Sequence, residues 1–127
     1  MRVAISTSSF ASSDKTPIKL LKARGIEIIQ NPYGRKLTVQ EVIRHLQGVD
    51  GLLAGLERLD GSVFNECINL KAIARVGIGM DNVNQNDARK AGIKLSNTPE
   101  GPTEAVSEMT LAAALILSRN IIPANTA

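Results

Sequence analysis

Between Ala74 and Val83 the chain reads ARVGIGMDNV: an apolar run, two glycines one residue apart, then an abrupt polar turn at Asp81 and Asn82. Glycines so placed let a backbone turn with positive φ and let a ligand approach the amides, so that consecutive N–H groups form a nest for an anion. A small carboxylate suits such a seat. A dinucleotide does not, because its fingerprint is G-x-G-x-x-G between the first strand and its helix, with an acidic residue about twenty positions on. Here Asn82 stands where the third glycine belongs, and the loop follows the fourth expected strand. No Gly-Lys pair followed by Ser or Thr is present, which removes a P-loop as well. The competing reading is a tight strand exit with Arg75 and Asp81 as a local ion pair, and the residues alone leave both open.

Other reactive side chains are few. His45 falls in an expected helix with no acid or nucleophile at a matching spacing, and reads as a surface residue rather than a base. Cys67, beside Glu66 and without a basic neighbour, reads as partly buried filler and not as a reactive thiolate. The hydroxyl-rich stretch STSSFASS, Ser6 to Ser13, reads as a solvated turn, since a flavin above it would want more aromatics than Phe10. A phosphoacceptor receiver domain needs acidic residues after its first strand and an Asp ending its third; those places hold Ser6-Thr7 and Ala54-Gly55. No metal-ligand spacing occurs.

The elements that must position the glycine loop follow from punctuation and period. Short β-rich apolar runs at Arg2 to Ser6, Ile26 to Gln30, Gly51 to Ala54, Ala72 to Arg75 and Ile93 to Ser96 alternate with helical patterns, which is how βαβ units and a parallel sheet read. Pro17 suits a first helical turn and Gly25 a C-cap; Thr38 with Glu41 makes a capping box closed by Gly48; Asn84 with Asp87 repeats that signal and closes at Gly92. Asp60 to Ile68 is a poorer helix, weakened by Gly61 and Asn65, and a long C-terminal helix runs from Thr103 to Ile121, stopping before Pro123. The expected fold is α/β: a flavodoxin-like, doubly wound, parallel five-stranded sheet in the order 2-1-3-4-5. In such sheets ligands bind beyond the carboxyl ends of the strands, which selects the loops after the first, third and fourth strands.

Size and charge narrow the function further. At 127 residues the chain suits one domain with one real core. Its net charge of +3 comes from fifteen Lys and Arg scattered along the sequence, with Phe10, Tyr33 and Phe64 as its aromatics. Nucleic-acid binding calls for a concentrated basic face and stacking partners, so that partner is not expected. A lone cysteine makes no internal disulfide, the start lacks a signal peptide's apolar core, and Ala105 to Ser118 is too short and carries Glu108, so a cytoplasmic protein without a membrane anchor is expected.

From Asn69 to Arg119 an ordered string appears: Leu70-Lys71, Arg75-x-Gly77-x-Gly79-x-Asp81-Asn82, Ala91-Gly92-Ile93, Asn97-Thr98-Pro99, Glu108 and Arg119. It resembles the N-terminal, substrate-capping region of the D-isomer-specific 2-hydroxyacid dehydrogenases, in the phosphoglycerate dehydrogenase-like branch. The resemblance implies an oxidoreductase that acts on the CH–OH group of a D-2-hydroxy acid, or on the 2-keto acid, with NAD or NADP, usually as a dimer. Carried over by position, the amides of Val76, Gly77, Ile78 and Gly79 hold the substrate carboxylate, and Ile78 also lies near the nicotinamide. Where the phosphoglycerate enzymes commonly place an Arg-Ser pair after the third strand, this chain has Ala54-Gly55, with Glu57 and Arg58 as the nearest charges. A phosphate there loses a bidentate partner, which argues against phosphoglycerate as substrate.

The family's nucleotide loop, substrate arginine and proton-moving His and Glu belong to a second domain, so the chain is expected to be a catalytically incomplete fragment. Residues 1–102 would form the substrate-binding domain, and 103–127 a crossover helix toward the nucleotide-binding domain. That helix is apolar around most of its circumference, with Val106, Met109, Leu111, Leu115, Ile116 and Leu117, and needs cover on more than one side; a homodimer through 103–121 would supply it. The alternative is a free-standing small-molecule-binding or dimerisation module that shares the fold.

Overall fold

The computed structural model describes residues 1–121; the end of the expected crossover segment, 122–127, lies outside the described residues. Five parallel strands, β1 (Arg2–Ile5), β2 (Glu27–Gln30), β3 (Gly51–Ala54), β4 (Ala72–Arg75) and β5 (Lys94–Ser96), form one sheet in the order β2-β1-β3-β4-β5. The helices between them are α1 (Thr16–Ala23), α2 (Val39–His45), α3 (Gly61–Phe64) and α4 (Gln85–Lys90), and α5 (Thr103–Ser118) follows β5. The expected order is therefore the observed one. Val3 pairs with Gly51 and Gly51 with Ala72, so β1, β3 and β4 stand in register and end at one edge.

Local chemistry sets the helix ends. Thr38 accepts from the Glu41 amide while Glu41 reaches back to the Thr38 amide, a complete capping box, and Asn84 accepts from Asn86 and Asp87. Gly25, Gly48 and Gly92 close α1, α2 and α4 with φ of +70°, +67° and +70°. Two helices are shorter than expected. In α3 the helix stops at Phe64 and not Ile68, since a single turn beginning on glycine has little propensity to extend past Asn65. In α5 the cap is Arg119, and Asn120 turns to a positive φ of 54° before Ile121.

The core lies on the face covered by α2, α3 and α4, where Val42, Leu46, Val49, Leu52, Leu59, Val63, Phe64, Ile73 and Ala88 are all at most 3% exposed. Cys67 belongs to it, and burial, with Glu66 next to it, pushes its thiol up to about 11. The opposite face is covered over β2 by α1 alone. An open apolar groove of about 550 Å³, lined by Val3, Leu21, Ile26, Leu53 and Ala74, remains over β1, β3 and β4. In a doubly wound sheet both faces need cover. Here α5 buries none of its residues and supplies none. No described helix is long and apolar enough to cross a membrane.

The capping box of α2 carries a pH signature. Arg35 donates twice to Glu41, at 2.9 and 2.7 Å, and that pairing, followed by the Thr38 amide, lowers the Glu41 carboxyl from 4.5 to about 2. A carboxyl depressed in the folded state stabilises fully above its unfolded value near 4.5, and the contribution disappears as pH falls toward 2. The urea midpoint is expected to drop across that window, and Glu41→Gln to flatten the drop while lowering the midpoint at neutral pH. An unchanged pH profile in the variant would remove this account.

Candidate functional site

The shared edge of β1, β3 and β4 gathers the three loops that the fold rule selects. After Arg75 the chain continues the ladder for one residue, the Val76 amide donating to the Ala54 carbonyl at 2.9 Å. It then reverses at Gly77, whose amide donates to the Arg75 carbonyl at 3.0 Å and whose φ of +144° is open in practice only to glycine. Two of the four expected carboxylate donors, Val76 and Gly77, are thus consumed by neighbouring carbonyls. The expectation of four free amides is corrected to two, because a strand exit this tight spends its first N–H groups on closing itself.

The other two are left free, and their direction follows from the next strand's exit. Thr98 donates its amide to the Gly77 carbonyl at 3.1 Å, and Asn97 Nδ2 donates to the Ile78 carbonyl at 2.8 Å. In a trans peptide the C=O and N–H point oppositely. Both carbonyls face the Asn97–Thr98 wall, so the amides of Ile78 and Gly79 both face away from it, to the same side. Neither donates to any described residue, and both residues are solvent-exposed. Two adjacent, unspent N–H groups on one side of the turn are what one carboxylate accepts.

The ion pair expected under the plainer reading does not form. Arg75 curls beneath the loop and donates to the Val76 carbonyl, with its Nε buried and unpartnered, while Asp81 stays exposed and outside the four ion pairs found among the described residues. A guanidinium under the turn adds positive charge to the loop.

The β3 loop is locked to this turn. Asn82 Nδ2 donates to the carbonyls of Gly55 at 3.2 Å and Glu57 at 2.7 Å, and Leu59 and Val83 bridge in parallel. Ala54 is fully buried, and its carbonyl holds Val76. Glu57, 1% exposed, turns inward: its Oε1 accepts from the Ser6 hydroxyl and from the Gly55 amide at 3.0 Å. Ser6 is therefore no solvated turn residue but a buried one, linked to a partner 51 positions away. The hydroxyl run after β1 was its one visible signal. Between the β1 and β3 loops lies a cavity of about 200 Å³.

His45 sits elsewhere. It is half-buried, against the surface position expected of it, because its Nε2 donates to the Ile5 carbonyl at 3.2 Å and ties α2 to β1. Among the described residues no group of three His, Cys, Asp or Glu is placed to hold a metal.

Comparison with known proteins bears on the family and the fold. The family model for the D-isomer specific 2-hydroxyacid dehydrogenase catalytic domain matches residues 4–126. The chain is 31% identical over 104 residues to human D-3-phosphoglycerate dehydrogenase, covering 81% of this chain and 19% of that protein. It is 27% identical over 115 residues to the glyoxylate reductase of Thermococcus kodakarensis, covering 84% and 34%. The chain thus spans between a fifth and about a third of these relatives. Among solved structures, the TT0316 protein of Thermus thermophilus superposes with a TM-score of 0.87 at 29% identity, over 99% of this chain and 39% of that one. The NAD+-bound 3-phosphoglycerate dehydrogenase of Entamoeba histolytica, at 23% identity and a TM-score of 0.77 over 91% and 38%, shares the fold.

Proposed function

Because the chain belongs to the D-isomer-specific 2-hydroxyacid dehydrogenase family, we propose that it holds the carboxylate of a small 2-hydroxy or 2-keto acid on the amides of Ile78 and Gly79. The observation that supports this reading is the shared direction of those two free N–H groups. Gly77 and Val76 shape the turn, Ala54 supports it from the core and is too buried to touch the acid, and Gly55 and Glu57 form the wall beside it. In this reading residues 1–102 are the substrate-binding domain of a longer, cytoplasmic oxidoreductase, and 103–127 lead toward its nucleotide-binding part.

The residues present fit one edge of a nicotinamide cofactor. Ile78 is apolar and 44% exposed at the tip of the turn, where a ring can rest on it. Bound there, NAD or NADP would supply or accept the hydride at the acid's C2. This chain's own part is to orient the acid: the two backbone N–H groups donate hydrogen bonds to the carboxylate and fix the C1–C2 axis, and such orientation lowers the entropic cost of the reaction. We further propose self-association through the α5 segment, 103–121, whose apolar side chains are uncovered.

The experiment is a titration of the isotope-labelled chain with D-lactate and pyruvate, followed by amide NMR. The Ile78 and Gly79 resonances are expected to shift in a saturable way, and those of Val76 and Gly77, already bonded, to shift less. A titration to tens of millimolar that leaves Ile78 and Gly79 unmoved would sink the reading.

A further inference from the structure

A cavity of about 320 Å³ opens on the α2 face of the sheet, at its β2 edge. Its volume suits a small organic ligand. Neither the glycine turn nor the β3 loop lines it, and β2 stands three strand spacings from β4, about 14 Å across the sheet. Whatever binds here is not the acid held at the turn.

The floor and one wall are apolar. Ile29 pairs with Ala4 and so faces α2 as Ala4 does, while Pro32 and Tyr33, 46% exposed, stand in the turn after β2. Asn31 fixes that turn, its Oδ1 accepting from the Tyr33 amide at 2.8 Å and its Nδ2 donating to the carbonyls of Ser6 at 2.6 Å and Arg35 at 2.8 Å. The charges in the lining do not cancel. Glu41, its one acid, is spent, because Arg35 donates to both of its oxygens and the Thr38 amide and hydroxyl donate to Oε2. Arg2 is divided between Glu27, at 3.3 Å, and the Gly48 carbonyl, at 3.1 Å. Arg44 makes no ion pair and no side-chain hydrogen bond with any described residue. One uncompensated guanidinium thus lines a cavity of apolar and aromatic surface.

We propose that this cavity is a second ligand site, for a small aromatic carboxylate. The carboxylate takes the guanidinium fork of Arg44 in two parallel bonds, and the ring lies against Tyr33 and Ile29. Each half needs the other: an exposed arginine pairs weakly with a bare anion in water, and a neutral ring leaves the guanidinium unused.

Benzoate, its neutral isostere benzamide, and acetate test this on the full labelled chain by amide NMR. Benzoate is expected to shift Tyr33 and His45 in a saturable way and to bind there at least about 10-fold tighter than either benzamide or acetate. Arg44→Gln breaks no described bond, so the fold should stand while benzoate weakens at Tyr33 and His45 by about 10-fold or more. Any response of Ile78 and Gly79 should be the same in parent and variant, which separates this site from the carboxylate seat. Equal affinities for the three ligands would overturn the proposal, as would an Arg44→Gln chain that binds benzoate like the parent, or silence at Tyr33 and His45 up to tens of millimolar. Those outcomes leave the reading of the glycine turn untouched, since its own signals are Ile78 and Gly79.

Discussion

Gly77→Ala is expected to abolish carboxylate binding and to lower stability by roughly 2 to 5 kcal/mol. Two costs combine. At a φ of +144° an L-residue is strained by about 1 to 3 kcal/mol. The new methyl would also overlap the Arg75 guanidinium, which would have to give up its bond to the Val76 carbonyl. Either the guanidinium leaves its place or the turn rotates, and rotation carries the Ile78 and Gly79 amides out of their common direction. The matched control is Gly79→Ala, whose Cβ meets only Asp81 at 3.7 Å and whose φ is not positive; it should cost under about 1 kcal/mol. Urea midpoints at unchanged slope give the stability difference, and the D-lactate titration gives the binding. A Gly77→Ala chain as stable and as competent as the parent would refute this account of the turn.

Met109→Glu should dissociate the proposed dimer, raising its Kd by about 100-fold or more, equivalent to ~2.7 kcal/mol. In the single chain α5 exposes Val106, Met109, Leu111, Leu115 and Leu117 by 51 to 79%. By helical period Val106, Met109, Ala113 and Leu117 share one face, and Leu111 and Leu115 the opposite one. Fully burying such side chains is worth ~1.5 to 3 kcal/mol each, so an uncovered α5 forgoes free energy on the scale of a whole domain's stability. A carboxylate in the middle of the first face must be desolvated without a partner when that face is covered. Light scattering after size-exclusion chromatography reads the outcome: a dimer for the parent at tens of micromolar and a monomer for the variant. A strictly monomeric parent would remove the proposal, as would a variant that dimerises equally well.

Asn82 couples the β3 loop to the glycine turn. Asn82 touches both, holding Gly55 and Glu57 while its own backbone accepts from Leu59 at 2.9 Å just after the turn. These bonds tie the β3 loop to the glycine turn, the kind of support that a binding constellation needs.

The sequence alone determined the strand order, the ends of most helices, the family, and the place of the glycine turn at the carboxyl end of β4. These are local matters: period two against period three and a half, a threonine three residues before a glutamate, a glycine where φ turns positive, and an ordered string of residues after Asn69. Tertiary structure alone decided which amides stay free, because the Gly77 and Ile78 carbonyls are fixed by Asn97 and Thr98, about twenty residues on. It decided likewise that Glu57 points inward to Ser6, 51 positions away, and that His45 serves Ile5, 40 positions away. Periodicity tells a residue which face it lies on. What it meets there depends on which strands stand side by side and in what register, and that exists only once the chain has folded.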